Sequence, residues 1–529
     1  MSREYDNEQS LQKRIMTGAN AIADNVGSTL GPRGRNVLLK EKDGAPFITK
    51  DGVTVAHFVA LQDEFENAGA EIIRQAAIET NNNAGDGTTT STVLARAILR
   101  ESQKYIASGI SPIEIQRGVH LAVKEVVINL NDMAKPVQTV EEVTDVASIS
   151  ANNDKSIGRL ISTAVDKVGQ DGAITIEESR SLETNLDIME GFRIKAGYCA
   201  SAFVTDERRA TMQYDEPLFL VTDHKITMVD QILPVLELAA RESRALILVC
   251  EDIEGQALAA IIMNAMRGTL KVAAIKAPMY GEERRSILED LAASTGANFV
   301  TRTSGRKLQQ VGLADLGSAK SIESTKYSTT IIGGACNYEA IEERIESLKE
   351  QVKTTEDLTA ATAIQERIAR LASGVAVIRV GGATAVEVTE KKHRIEDALE
   401  AVRSAQEQGI IPGGGCALLR ASRTMTISTV HGEDHQDQIV GAVIVKKACQ
   451  EPIKQMALNA GESPDLIIDS VLKEESEFVW NFRDGVLVDC YEAGIIDPVK
   501  VTISALQNAA SCAGTLITTN FGIIQTEIK

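Results

Sequence analysis

Aromatic residues make up only 4% of this 529-residue chain, and tryptophan occurs once, at Trp480. With so few rings, its cores must rely on Ala, Val, Ile and Leu, as helix-rich proteins often do. No apolar run approaches the ~20 residues that span a bilayer. The opening MSREYDNEQS has neither the apolar stretch of a signal peptide nor the Arg/Ser bias of a transit peptide. No Lys/Arg-rich run offsets the formal net charge of −19. A surface this acidic repels nucleic-acid phosphates and anionic lipid. The expectation is a soluble, cytoplasmic protein that binds neither nucleic acid nor membrane. The seven cysteines, Cys199, Cys250, Cys336, Cys416, Cys449, Cys490 and Cys512, form no C-x-x-C pair. That pattern reads as reduced, mostly buried thiols and disfavours zinc. Familiar catalytic motifs are missing too: no G-x-x-x-x-G-K-[ST], no kinase H-R-D and D-F-G, no H-E-x-x-H. His431 and His435, in HGEDH, read as part of a solvated loop.

What is present is length and pattern. A chain of this size suggests two to four domains, and 43% hydrophobic with 24% charged residues is a soluble, globular balance. Residues 8 to 130 read as helices with Gly-rich breaks at Gly27–Asn36 and Ala84–Thr90. From about 215 to 300, short apolar runs (LFLV at 218, ALILVC at 245, LKVAAI at 270, NFV at 298) alternate with the helical ILPVLELAA and GQALAAIIMNAM. That alternation suggests α/β layering. Residues 338–372 read as a helical hairpin with the polar bridge KTTEDLTA, and 388–408 as a charged amphipathic helix. Helical character then returns. The simplest architecture is nested: an outer helical domain from both chain ends, an α/β domain inserted between, and a small linking domain where the chain crosses.

Four segments suggest phosphate chemistry. Thr29 to Asn36, TLGPRGRN, makes a tight turn that exposes backbone N–H groups, a concave array suited to anions; alone it is equally a plain turn. Ala84 to Thr92, AGDGTTTST, opens an apolar helix. Asp86 is set to hold Mg²⁺, Gly87 lets backbone approach a phosphate, and Thr88, Thr89 and Thr90 supply hydroxyls and N–H groups at a helix N-terminus. A cap needs one hydroxyl, so three exceed capping. Pro412 to Gly415, PGGG, opens another apolar helix. Lys50 to Gly52, KDG, follows a possible strand at PFIT, and Asp51 reads equally as a turn residue. Asp397 points away from the stripe of Ile395, Leu399 and Val402, which alone says only that it faces solvent.

Together with ITKDGVTVA, EDIEGQALA, KVAAIKAP, LASGVAVIRVGGAT and IEDAL, these strings resemble the group I (GroEL-like) chaperonins along nearly the whole chain. The resemblance implies a multidomain α and α/β fold. An equatorial domain (1–132 and 408–529) would bind ATP and hold a ring of about seven identical subunits. An intermediate domain (133–189 and 376–407) would link it, with hinge glycines at Gly191 and Gly374, to an apical domain (190–375) that binds non-native client proteins. By position, Thr29, Leu30, Gly31 and Pro32 would wrap the phosphates and base. Lys50 would lie near the phosphates beside a K⁺ ion. Asp86 would bind Mg²⁺, and Gly87, Thr88, Thr89 and Thr90 the phosphate oxygens. Gly414 and Asp497 would hold the ribose, Asn481 would lie beside adenine, and Asp51 and Asp397 would orient the attacking water. Tyr198, Phe203, Leu233, Leu236, Leu258, Ile262 and Met263 would form the apolar client-binding surface. The implied function is an ATP-dependent folding chaperone, with a lid-like co-chaperonin as a possible partner. The alternative is an ATP-binding ring scaffold or holdase with an altered co-chaperonin cycle or none.

Several positions depart from the family's pattern. The chain ends TNFGIIQTEIK without a Gly-Gly-Met tail, Phe482 and Arg483 replace two small residues beside Asn481, and Ala202 stands at an aromatic position. Lys104 and Lys454 keep the basic members of inter-ring pairs whose acidic partners align with Gln436 and Ser463, which implies weakened ring stacking. Ala196 and Ala385 replace both members of a bridge between neighbouring subunits, which implies a less steep response to ATP. A small-molecule ATP-dependent enzyme would need further catalytic residues beside the phosphate segments, and none is evident. A scaffold without hydrolysis would lack Asp51, Asp86 or Asp397, and all three are present.

Overall fold

The computed structural model describes residues 2–40, 46–169, 173–179, 181–189, 191–207, 209–335, 338–354, 364–365, 367–368, 371, 375–425 and 435–526. The chain divides into two compact units, Met1–Thr163 with Gly382–Lys529, and Ala164–Gly381.

The first unit is helical. Its core gathers the helices Glu8–Gly27, Glu64–Ala84, Thr88–Ala107, Pro112–Asp132, His435–Ala448 and Val499–Ile517 around Ile22, Ile73, Leu94, Ile98, Ile115 and Leu506. Among the described residues, Phe65 is the only aromatic buried in that core, and alanines fill much of the rest. Small side chains let helices approach closely, which is how a chain poor in rings still reaches dense packing. Helix starts follow local chemistry. Asp51 and Asp63 cap Gly52–Phe58 and Glu64–Ala84, and Thr139 with Glu142 forms a capping box on Val140–Ser150. The predicted 388–408 helix runs from Ala385 to Gln408 behind a Thr384 cap, and the PFIT segment contributes the strand Phe47–Thr49. The strand Ser2–Asn7, which no sequence pattern announced, pairs antiparallel with Phe521–Thr526.

The second unit is built on a mixed seven-stranded sheet. Leu218–Val221, Leu246–Cys250 and Val272–Lys276 pair in parallel, as the apolar runs predict. The helices Leu233–Glu242 and Gly255–Met266 connect them. The fourth run, NFV, is too short to form a strand: Val300 makes only an isolated bridge to Thr222. The antiparallel half of the sheet, Met212–Asp215, Gly317–Ser324, Thr329–Gly334 and Gly191–Ile194, was not foreseen. A smaller sheet joins Val375–Val380 to Ala173–Glu178 in parallel and to Asn185–Met189 antiparallel. The first arm of the expected hairpin is the helix Tyr338–Thr354. Leu348 and Leu371 are buried in this unit's core, whereas the polar bridge at 355–360, Gly374, Cys336 and His431 lie outside the described residues.

Lys104 and Lys454 are not bare charges: Lys104 Nζ lies 2.8 Å from Glu101 and Lys454 Nζ 3.2 Å from Glu451. Each acid sits one helical turn before its lysine. Glu387, two residues on from Ala385, pairs with Lys391 at 2.8 Å and accepts from the Ala383 N–H at 3.0 Å.

Candidate functional site

The Thr29–Asn36 turn begins where the Glu8–Gly27 helix ends. Thr29 is buried, its hydroxyl donating to the Val26 carbonyl at 2.8 Å and lying 3.3 Å from the Thr89 hydroxyl. Asn459 holds the turn from behind, its amide donating to the Gly27 and Leu30 carbonyls at 2.9 Å each. Lys50 reaches the same turn, its Nζ donating to the Gly31 carbonyl at 3.0 Å and to Asn152 Oδ1 at 2.9 Å. Burial, and then the nearby Arg394, lower the Lys50 pKa. Asp51 caps its helix, accepting from Val53 N–H, Thr54 N–H and the Thr54 hydroxyl at 3.1, 3.2 and 2.5 Å.

The Ala84–Thr90 break joins two long helices. Gly85 ends the first with φ +70°, and a Cβ there would lie 2.2 Å from Glu400 Cβ. The glycine thus answers both a left-handed turn and the close passage of the Ala385–Gln408 helix, whose Ser404 hydroxyl donates to the Ala84 carbonyl at 3.0 Å. That helix carries Asp397. Asp86 accepts from Gly87 N–H at 2.5 Å and the Ser150 hydroxyl at 2.9 Å. Burial raises the Asp86 pKa, and the Asp51 charge adds to the rise. Gly87 precedes the Thr88–Ala107 helix without any side-chain cap, so the N–H groups of its first turn remain available to an anion.

At the other end, Gly414 and Gly415 have φ +66° and +75°, and Gly415 again opens a helix with no side-chain cap. Their N–H groups face Asp497, whose pKa is pushed up to about 7, by burial first and then by the Asp86 charge. A cavity of about 410 Å³ is lined here by Leu30, Gly31, Pro32, Asp86, Gly87, Thr90, Gly414, Asn481 and Asp497, among others. A second, of about 140 Å³, is lined by Thr29, Lys50, Asp51, Thr88, Thr89 and Asp397, among others, and shares Leu30, Gly31, Asp86, Gly87, Thr90, Ser150 and Asn152 with the first. Every residue the sequence nominated for the nucleotide therefore lines one of two adjoining cavities. Ser150, Asn152, Glu390 and Arg394 were missed. The signal available was SANND after an apolar helix; Asn152 and Asn153 there adopt φ +59° and +63°.

Asp86 and Asp497, both raised by burial first and then by a neighbouring carboxylate, would be eased by positive charge. Among the described residues, no group of three or more His, Cys, Asp or Glu could hold a metal ion. A cation at Asp86 would thus need oxygens from a ligand, as Mg²⁺ takes when it binds with phosphates.

The sequence profile of the TCP-1/cpn60 chaperonin family matches residues 22–526. The chain belongs to the TCP-1/cpn60 chaperonin family. This chaperonin also shares its fold with the chaperonin gp146 from bacteriophage EL 2 (Pseudomonas aeruginosa), solved in the presence of ATP-BeFx. The two crystal forms give TM-scores of 0.67 and 0.62 at 22% identity, each covering 99% of both chains.

The surface expected to bind clients only partly meets the expectation. Leu233 and Met263 are exposed at 45% and 48%, and Tyr198, Leu258 and Ile262 are half-buried. Phe203 and Leu236 are core residues at 1% and 7%. Leu236 lies on the inner face of its helix beside Val235 and Ala239, and Phe203 packs beneath in the same cluster. Met228 and Met266 are exposed apolar residues of the same unit.

Proposed function

We propose that this chaperonin hydrolyses ATP in the two adjoining cavities and uses the cycle to bind and release non-native proteins. One observation carries the reading: the nucleotide-site candidates come from separate stretches of chain (29–32, 50–51, 86–90, 397, 414, 481 and 497), yet all line these cavities. The Thr29–Pro32 backbone and the Gly87–Thr90 N–H and hydroxyl groups would hold phosphate oxygens, with Lys50 adding charge. Gly414 and Asp497 would hold the ribose, with Asn481 at the base end. Asp86 would hold Mg²⁺, which when bound neutralises charge developing on the phosphates. Asp51 and Asp397 would orient a water for in-line attack on the γ-phosphorus and take up its proton. K⁺ enters on the resemblance alone, and phosphate release in K⁺ and Na⁺ buffers checks it.

The three-part division goes with this reading: equatorial 1–132 and 408–529, intermediate 133–189 and 376–407, apical 190–375. Exposed Leu233, Met263, Met228 and Met266 suit unselective apolar contact, since methionine adapts its shape. Ring assembly draws support from two-stranded sheets with open edges, Ser2–Asn7 with Phe521–Thr526 and Val37–Leu39 with Phe47–Thr49. They expose Tyr5, Phe521 and Leu38. The protein would work in the cytoplasm, with a lid-like co-chaperonin as a candidate partner.

The test is phosphate release with MgATP. Asp397→Ala should keep nucleotide binding and slow turnover by about 10²-fold, the order expected for losing a group that activates the nucleophile. Turnover within twofold of the parent would remove Asp397 from the mechanism.

A further inference from the structure

Arg394 carries a donor that the protein itself does not satisfy. Its Nε–H is buried and has no hydrogen-bond partner among the described residues. A buried donor of this kind costs stability until a water or a ligand oxygen accepts from it. The rest of the guanidinium is held on one side only. Nη2 donates to Glu390 Oε2 at 2.6 Å, whereas Nη1 lies 3.5 Å from Asp154. Asp154 already caps its own helix, its Oδ1 accepting from Ser156 N–H at 2.9 Å and Ile157 N–H at 3.3 Å. A guanidinium presents five N–H donors in one plane, so these two acids do not exhaust it.

The position of Arg394 says what could accept. It lines the smaller cavity together with Lys50, Asp51, Thr88, Thr89 and Asp397. Lys50, Asp51 and Asp397 line this cavity and not the larger one, so on the nucleotide reading the terminal phosphate lies here. Arg394 and Asp397 share the Ala385–Gln408 helix, three residues apart, and that spacing puts both on one face. The helix that brings the acid therefore brings the guanidinium with it. Arg394 is also close enough to Lys50 to lower its pKa, second to burial, although Glu390 opposes. Two cations in one small cavity repel, and an oxyanion there would ease both.

We propose that Arg394 binds the terminal phosphate of the nucleotide, donating to γ-phosphate oxygens, and so sets the preference for triphosphate over diphosphate. The inference rests on the nucleotide reading above and adds the residue that tells ATP from ADP. Paired N–H groups in a plane match phosphate oxygens in a way that the point charge of a lysine does not.

The test uses the full-length protein with Mg²⁺ and measures the Kd of ADP and of the non-hydrolysable AMP-PNP by calorimetry, in the parent and in Arg394→Gln. The variant should bind AMP-PNP about 10–100-fold more weakly, the loss typical of hydrogen bonds to a charged group, and ADP within about threefold of the parent. Arg394→Lys keeps the charge but not the Nε–H. It should show a smaller loss of the same selective kind, and it carries the test if the glutamine variant does not fold. Glu390→Gln removes the ion pair alone and should keep the parent's preference. Equal weakening of both nucleotides, or of neither, would overturn the proposal and leave the nucleotide site standing. The selective loss appearing in Glu390→Gln as well would also overturn it, since Arg394 would then act only through its ion pair. Selective loss in a protein whose parent releases no phosphate from MgATP would support the proposal while overturning the hydrolytic reading. Failure of the parent to bind either nucleotide would overturn both.

Discussion

Asp315 shows how a single side chain can fasten a long connection. It accepts hydrogen bonds from Arg306 Nη1 at 2.8 Å, Gly312 N–H at 2.9 Å and Asn298 Nδ2 at 3.0 Å. Arg306 first, with these neighbours, lowers its pKa to about 2, although burial opposes. A carboxylate depressed on folding stabilises the protein above its unfolded value, near 4, and that contribution is lost as pH falls from about 4 to 2. Asp315→Asn should therefore lower the melting temperature at pH 7, with the gap to the parent narrowing towards pH 2. Melting curves followed by circular dichroism check this. An equal gap at both pH values would mean that Asp315 acts by packing alone. Leu236 carries the opposite lesson: an apolar residue in a helix named as a binding surface can belong to the core beneath it.

At the scale of elements, the approach of the Ala385–Gln408 helix to the Ala84–Thr90 break determines where Asp397 lies. Gly85→Ala would set a methyl group against Glu400 in a left-handed backbone conformation. The strain should cost about 1–3 kcal/mol and displace the helix. We expect a lower melting temperature together with slower ATP turnover. A variant that matches the parent in both would show that this contact does not position the acid. The same elements show what could be read in advance. The helices of the first unit and the parallel strands of the second carried clear periodicity, and TLGPRGRN, AGDGTTT and PGGG marked backbone that must turn tightly or approach a ligand. Gly317–Ser324, with sequence GSAKSIES, has no alternation strong enough to announce a strand, and its place depends on partners far along the chain. Ser150, Asn152 and Asn459 went unnoticed because they act through hydrogen bonds to residues distant in sequence. No spacing rule reveals those bonds. The ties of the Asn481 side chain to Arg483 N–H at 2.9 Å and to Asp484 Oδ2 at 2.8 Å depend on a turn that the sequence alone does not show.

For the whole molecule, a chaperone needs a surface that captures clients and a site that drives their release, and on the proposed reading the residues for the two fall in different compact units. They should therefore be separable by mutation. Leu233→Ser combined with Met263→Ser changes two exposed side chains and should abolish suppression of client aggregation while sparing ATP hydrolysis. If that variant protects a denatured client as well as the parent does, the client surface lies elsewhere. The most direct test of the account is recovery of enzymatic activity from a chemically denatured client, followed with the chaperonin and MgATP, without nucleotide, and with the Asp397→Ala protein. Any lid-like partner can be supplied in all three arms. The account predicts substantial recovery only with the parent protein and MgATP, and a held, inactive client in the other two. Equal recovery with and without ATP, or with Asp397→Ala, would contradict it.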